Sequence, residues 1–242
     1  MIYEHIPHKL HARLEKIEQE LIARFSSNSV IENTLLLGDP RQIALLQSCR
    51  SQYRHLACGN YPGFQFKNTQ AQAQAQVYFS HFTDLPYAKE SMDFIILPHV
   101  LEFSAEPSTV LEEAAECLSQ RGSLLLFSLS PFSRFAPLFR QNNESHFLPL
   151  SLSSAQNLLT ANGLHIAASQ SFFSLLAYAP ETKFFQLCEK TVMPYLPFLC
   201  NAYWIIARKT NTPVVRVPLK SYLTQSRSIA LEGACAARSG NP

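Results

Sequence analysis

The stretch that decides the fold begins with DFIILPHVLE, residues 93–102, and continues through a helical pattern over 107–118 to SLLLF, residues 123–127. Four consecutive apolar residues at 94–97 predict a strand covered on both faces, as parallel strands are. In the helical pattern, apolar residues recur three and four positions apart, and glutamates take the other side. We therefore predict a strand–helix–strand unit.

The two ends of this predicted helix have physical reasons. Pro107 suits a first helical turn, where its missing N–H costs nothing. Gly122 suits the left-handed position just past a helix end. Both residues fix the limits of the helix in the sequence.

The rest of the chain supplies further elements of the same kind. Apolar periodicity predicts an amphipathic leading helix at 8–25 and a helix at 154–161 that ends at Asn162-Gly163. A helical pattern also resumes at Ile43. Strands are predicted near 34–37, 53–58, 77–79, 166–173, 175–178 and 202–207, and a helix at 183–192.

Length and composition indicate one α/β domain with additions at both ends. The chain has 242 residues, of which 47% are hydrophobic, enough for a sizeable core. We divide it into an N-terminal helical extension at 1–32, an α/β domain at 33–209 and a disordered tail at 210–242. The tail has few periodic apolar positions and scattered prolines and charges.

Charge and cysteine content narrow the class of protein. The formal net charge is +2; from Thr210 onward four arginines and lysines stand against one glutamate, which gives +3 there and −1 for the rest. No nucleic-acid surface is predicted. Six cysteines without a C-x-x-C pair indicate reduced thiols, hence a cytoplasmic protein without a metal site. Neither a secretion signal nor a membrane span is predicted.

Two loops after predicted strands contain candidate ligand-binding residues. Gly38 and Asp39 follow the first strand, where a carboxyl-edge loop of a parallel sheet meets ligands, but a lone glycine also suits a plain turn. Asn60 follows the second strand, where a doubly wound fold commonly places an acid for ribose hydroxyls; a turn asparagine is the alternative.

Other candidates lie near the deciding stretch. Asp84 either caps a turn or faces a ligand, whereas Asp93 begins a strand and is interpreted as structural. His99 could act as a general base because its free pKa lies near neutrality, or it could pack and hydrogen-bond at a strand end. The aromatic segment 132–139 could wall a substrate pocket.

The order of these motifs resembles the class I S-adenosylmethionine-dependent methyltransferases, and within them the type 11 group. The resembling motifs are Leu85-Pro86-Tyr87, Met92-Asp93, the strand 94–97, His99-Val100-Leu101-Glu102 and Arg121-Gly122. The version with Pro98 and Phe103 is similar to a small bacterial subgroup of predicted methyltransferases. The resemblance implies a Rossmann-like, mostly parallel seven-stranded sheet with helices on both faces and a final antiparallel strand.

The resemblance also implies a cofactor, S-adenosylmethionine, and where it would bind. Gly38 and Asp39 would stand at its methionine end, and Asn60 would lie near the ribose. His81, Asp84 and Leu85 would surround the adenine. Pro98 and His99 would lie beneath the sulfonium.

The sequence departs from the family pattern at three of these contacts. The usual E/D-x-G-x-G-x-G loop is LGDPRQ at 37–42, the acid after the second strand is absent, and His81 replaces an acid four residues before Leu85. Two hypotheses follow: a methyltransferase with an unidentified acceptor, or an inactive scaffold or regulatory protein of the same fold. A nucleotide-binding oxidoreductase is disfavoured because G-x-G-x-x-G is absent. The oligomeric state is open.

Overall fold

A computed structural model describes residues 8–27, 30–59, 75–133, 135–141, 147–174 and 200–209 of the chain. Its centre is a seven-stranded sheet with the order β3-β2-β1-β4-β5-β7-β6. The strands are β1 Asn33–Gly38, β2 Tyr53–Cys58, β3 Gln76–Phe79, β4 Met92–Pro98, β5 Leu118–Leu129, β6 His165–Ser174 and β7 Cys200–Arg208.

The described helices alternate with these strands along much of the chain, as predicted for an α/β protein. The α-helices are α1 His8–Ser27, α2 Ile43–Gln47, α3 Pro107–Cys117, α4 Ala136–Gln141 and α5 Leu152–Ala161. Two 3₁₀ turns, Pro40–Gln42 and Leu101–Phe103, follow β1 and β4. Both turns lie where a strand leaves the sheet, so they shape its carboxyl edge.

The sheet is parallel except at β7, which runs antiparallel to both β5 and β6. Strands β1 to β5 pair in parallel. This arrangement confirms the predicted Rossmann-like fold class and the closing antiparallel strand. The predicted strand at 53–58 is reproduced to the residue, and the other described strands agree within two residues except β5, which begins at Leu118, five residues before the predicted run at 123–127.

Each face of the sheet carries its own apolar core. On one face Leu35 and Leu37 pack with residues of α3 and α5; on the other, Leu36 packs with residues of α1 and α2. Because side chains alternate along a strand, buried strands such as β1 need apolar residues at every position. Helices therefore cover both faces, and α1 is part of the core that it completes.

The aromatic segment after β5 is a core element, which corrects its interpretation as a pocket wall. Phe135 and Phe139 are fully buried and pack with Leu14 of α1 and with Phe147. Only Phe132 of these aromatic side chains is exposed, at 69%. Their apolar surface is used to hold α1 and α4 together, so it is not available to line a pocket.

Gly122 is not a helix-terminating glycine, and that prediction was wrong. The chain passes directly from α3 into β5 at Leu118, so Gly122 lies buried inside a strand. A Cβ at this position would come within 2.7 Å of the Leu118 side chain, which explains the glycine by close packing. At the end of α5, by contrast, Gly163 has φ 74° as predicted for a helix-ending glycine.

Several predictions lie outside the described residues: the strand at 175–178, the helix at 183–192 and the tail at 210–242. The division into an extension, a domain and a tail stays a prediction. No helix in the described part of the chain is long and apolar enough to cross a membrane.

Candidate active site

The candidate site is the crevice between the carboxyl ends of β1 and β4. The strand order reverses here, because β2 and β3 lie on one side of β1 and β5 lies beyond β4. Leu36 pairs with Ile96, so the parallel register brings Gly38 level with Pro98. In open α/β sheets, ligands bind at this kind of switch point.

The Gln42 side chain spans this crevice. Its Oε1 accepts a hydrogen bond from the Asp39 N–H at 2.8 Å, and its Nε2 donates to the Pro98 carbonyl at 3.1 Å. Gln42 is buried, and a Cβ added to Gly38 would overlap its Oε1. The space above Gly38 is thus filled by the carboxamide of Gln42, which explains why this position needs a glycine.

The Asp39 carboxylate is engaged by its own loop. It accepts hydrogen bonds from the Arg41 backbone N–H at 2.9 Å and from the Arg41 guanidinium at 2.9 and 2.7 Å. With Gln42 it forms a capping box on the 3₁₀ turn. Asp39 is therefore a turn former in this structure, one of the two roles that the sequence left open.

The negative charge of Asp39 acts on the thiol of Cys58, the last residue of the neighbouring strand β2. Burial, with a contribution from Asp39, raises the pKa of Cys58 to about 12. The thiol is therefore protonated near neutral pH and is a poor nucleophile. Cys58 packs in the core instead of supplying chemistry to the crevice.

His99 follows β4 in a left-handed backbone conformation with φ 58°. This conformation is uncommon for a residue with a side chain. The His99 N–H donates to the Phe127 carbonyl at 2.9 Å. Its imidazole is buried between two carboxylates: Nε2 lies 2.7 Å from Glu18 Oε1 and Nδ1 lies 2.9 Å from Glu102 Oε1.

The two glutamates set the charge of His99. Burial by itself lowers the pKa of His99, but the charge of Glu18 and the hydrogen bonds to Glu102 and Glu18 outweigh it and raise this pKa to about 10. Imidazole is then a cation at neutral pH, with both nitrogens donating. A general base needs a free lone pair within reach of the substrate, so this arrangement does not support the catalytic role predicted for His99.

Glu102 is the centre of the surrounding hydrogen-bond network. Its carboxylate also accepts from the Ser128 hydroxyl at 3.0 Å and from the Leu129 N–H at 3.0 Å. A fully buried carboxylate requires such partners, because an unpaired buried charge is costly. The network ties α1, the turn after β4 and the end of β5 into one unit beneath the crevice.

The loop after β3 holds the residues predicted near an adenine. Ser80 N–H donates to the Cys58 carbonyl at 2.9 Å, which keeps this loop at the carboxyl edge. His81 and Asp84 are exposed there, whereas Leu85 is buried and its N–H donates to the Glu113 carboxylate at 3.4 Å. Asn60 lies outside the described residues.

Sequence reasoning missed two residues of the site. Glu18 of the leading helix is one of them and is buried; its position four residues from both Leu14 and Ile22 was the available signal. Gln42 stands three residues after Asp39, the spacing of a capping box. Neither spacing indicates that Glu18 contacts His99 or that Gln42 contacts Pro98.

Comparison with known families identifies the fold. Residues 50–126 match the family model described as a methyltransferase domain, and these residues contain β2 to α3 and most of β5. The fold is that of a class I methyltransferase. This methyltransferase fold positions the crevice between β1 and β4. No curated protein sequence matches the chain.

Solved structures of the methyltransferase fold cover most of the chain at low identity. One is a Thermotoga maritima protein described as an S-adenosylmethionine-dependent methyltransferase, possibly acting on histamine (TM-score 0.59, 15% identity, 83% of this chain and 91% of that one). Another, from Archaeoglobus fulgidus, is S-adenosylmethionine-dependent (0.58, 14%, 81% and 94%). The cyclase SpnF is also similar (0.55, 11%, 81% and 80%).

Proposed function

We propose that the protein is an S-adenosylmethionine-dependent methyltransferase that acts on an unidentified acceptor. The observation that supports this most is the crevice between Gly38 and Pro98, which lies at the switch point of the sheet. Residues 50–126 of the chain, which include Pro98, match a methyltransferase domain. Ligands of such sheets bind outside the carboxyl ends of the strands.

Methyl transfer requires little of the protein beyond binding the two reactants and placing them. When bound, S-adenosylmethionine supplies an activated methyl group on its sulfonium. The residues of the crevice would hold the reactants in line and exclude water. A buried, cationic His99 agrees with such a mechanism, because it holds the backbone beneath the crevice in place and takes no proton from a substrate.

The crevice fits the cofactor only when Gln42 has moved. The Asp39 N–H and the Pro98 carbonyl are a donor and an acceptor that could bind the amino-acid end of S-adenosylmethionine, but the Gln42 carboxamide holds both. His81 and Asp84 are exposed at the other end, where the adenine is expected. As described, the crevice is closed at its methionine end.

This closed crevice also favours a second candidate function, an inactive methyltransferase-fold scaffold or regulatory protein. Fold alone does not decide between them, because one fold hosts many functions. The cyclase SpnF, which shares this fold, shows that it is not confined to proteins named methyltransferases. Binding of the cofactor is the property on which the two candidates differ.

Calorimetric titration with S-adenosylmethionine and S-adenosylhomocysteine tests the proposal. We expect saturable binding of both, lost in Gly38→Leu because the larger side chain would enter the crevice. Ala161→Leu, which places the same side chain at an exposed position on α5, serves as the control. Absence of heat at millimolar ligand would rule out the enzyme and leave the scaffold; unchanged affinity in Gly38→Leu would place the site elsewhere.

We further propose a cytoplasmic location. Cys49, Cys58 and Cys117 are buried thiols that form no disulfide bond, as expected for a chain that folds in a reducing compartment. Cell fractionation checks this directly. The methyl acceptor, small or macromolecular, would be sought by incubating the protein with radiolabelled S-adenosylmethionine and fractions of a cell extract.

A further inference from the structure

We infer that Gln42 is an internal substitute for the amino-acid end of the cofactor and must leave the crevice before that end can bind. This inference deepens the proposed function and rests on it. It assigns a specificity-determining role to a residue that the family motifs do not mark. The carboxamide of Gln42 is the group that closes the switch point.

The side chain of Gln42 offers the same kinds of hydrogen-bonding group as the amino-acid end of the ligand that it would exclude. A carboxamide offers one acceptor oxygen and an NH₂ donor. An amino acid offers the same pair through its carboxylate and its ammonium. Asp39 N–H would donate to the former and the Pro98 carbonyl would accept from the latter, and these are the two groups that Gln42 now satisfies.

Helix capping explains only part of this arrangement. A capping box requires the bond between the Gln42 side chain and the Asp39 N–H, three residues away. The second bond reaches Pro98, 56 residues along the chain and on the other side of the crevice. That bond adds nothing to the cap, and it is the one that closes the crevice.

The position of Gln42 allows the exchange. Gln42 ends the 3₁₀ turn and is the N-cap residue of α2, a helix of only five residues, and its own backbone forms no part of the sheet. Its side chain has three rotatable bonds, so it can withdraw while Gly38, Asp39 and Pro98 stay in place. A buried donor and acceptor left empty are costly, so withdrawal requires a replacement in the crevice.

The test compares two ligands that differ in one part. S-adenosylhomocysteine carries the amino-acid end; 5′-methylthioadenosine carries the nucleoside and the thioether without it. In Gln42→Ala, we expect affinity for S-adenosylhomocysteine to rise about tenfold, because a competing pair of hydrogen bonds is removed. Affinity for 5′-methylthioadenosine should change less than about twofold, since that ligand does not reach Gln42. Gln47→Ala, at an exposed position on α2, should alter neither.

The outcomes separate this inference from the proposed function. If the unmodified protein binds S-adenosylhomocysteine and Gln42→Ala binds it equally or more weakly, the function stands and the inference is wrong. If only Gln42→Ala binds, the inference stands and the unmodified protein is not a cofactor-dependent enzyme. If neither binds, both are wrong.

A second measurement follows the Gln42 side chain in the unmodified protein. The side-chain NH₂ signals of Gln42 in a nitrogen–proton NMR spectrum should move when S-adenosylhomocysteine is added and stay in place with 5′-methylthioadenosine. Gln42→Ala identifies these signals by their loss. Signals that remain unchanged at saturation with S-adenosylhomocysteine would show that Gln42 stays in the crevice, which contradicts the inference.

Discussion

Replacing Glu18 by glutamine removes one of the two negative charges that keep His99 protonated. Glutamine can still accept the hydrogen bond from His99 Nε2, so the change is mainly one of charge. The charge of Glu18 is the largest of the causes that raise the pKa of His99. We therefore expect this pKa to fall in Glu18→Gln, with Glu102 as the remaining counterion.

The raised pKa of His99 makes the stability of the protein depend on pH in one direction. Its contribution is fully present below the unfolded pKa near 6.5 and is lost as the pH rises through the folded pKa of about 10. At 1.36 kcal/mol per pH unit, this interval sets an upper bound of about 5 kcal/mol. In Glu18→Gln the decline should be smaller and should occur at lower pH.

Three variants of this network and its helix should differ in how much free energy of unfolding they lose at pH 7. His99→Gln leaves the buried carboxylates of Glu18 and Glu102 without a cation, and we expect a loss of about 3–5 kcal/mol in the free energy of unfolding. Glu18→Gln keeps His99 paired with Glu102 and should cost about 2 kcal/mol. Glu20→Gln, exposed on the same helix, should stay within about 0.5 kcal/mol.

Fluorescence of the single tryptophan provides the assay. Trp204 is buried in β7, and its ring lies 5.0 Å from that of Phe25 in α1, so urea unfolding at pH 6, 8 and 10 reports on both elements. The imidazole signals of His99 in an NMR titration give its pKa directly. A His99 that titrates near its ordinary value, or equal pH profiles for the protein and Glu18→Gln, would refute the reasoning.

Three further predictions concern single residues. Asp93→Ala should cost about 1–3 kcal/mol in urea unfolding, because the carboxylate accepts from the Glu32 and Asn33 N–H groups and from Ser119; a smaller loss would mean that water replaces it. Cys58, with its pKa raised to about 12 by burial and Asp39, should react with a disulfide reagent at pH 8 only on unfolding; fast labelling of the folded protein would contradict this. Gly163→Ala should lose about 1 kcal/mol, because φ is 74° there, and an unchanged melting temperature would show that the turn relaxes.

The sequence predicted the fold well because the signals for it are local. Buried parallel strands such as β4 are continuous apolar runs, and α3 carries its amphipathic pattern within 11 residues. The interpretation of Arg121-Gly122 as the stop of α3 was wrong for a physical reason: this dipeptide has the composition of a helix stop, but the hydrogen bonding of β5 continues through it.

The candidate site was harder to predict because its contacts are distant in sequence. His99 and Glu18 are separated by 81 residues, and no local pattern indicates that they meet. A histidine at a strand end could therefore be interpreted either as a base or as a packed residue, and the partners of its side chain decide between the two. Motifs near Gly38 located the crevice, but they gave no sign that Gln42 fills it.

The position of β7 in the sheet constrains the order in which the chain can fold during synthesis. β7 is the last described strand, yet it lies between β5 and β6 and supplies the pairing partner of β6. While the ribosome is still producing the segment before Cys200, β6 has no neighbour among the described strands of the sheet, and the edge of β5 that pairs with β7 is open. Unpaired edges of this kind are prone to association with other chains. Ribosome-bound chains that stop before Cys200 should therefore be more sensitive to protease, and more dependent on chaperones, than chains that extend past Lys209.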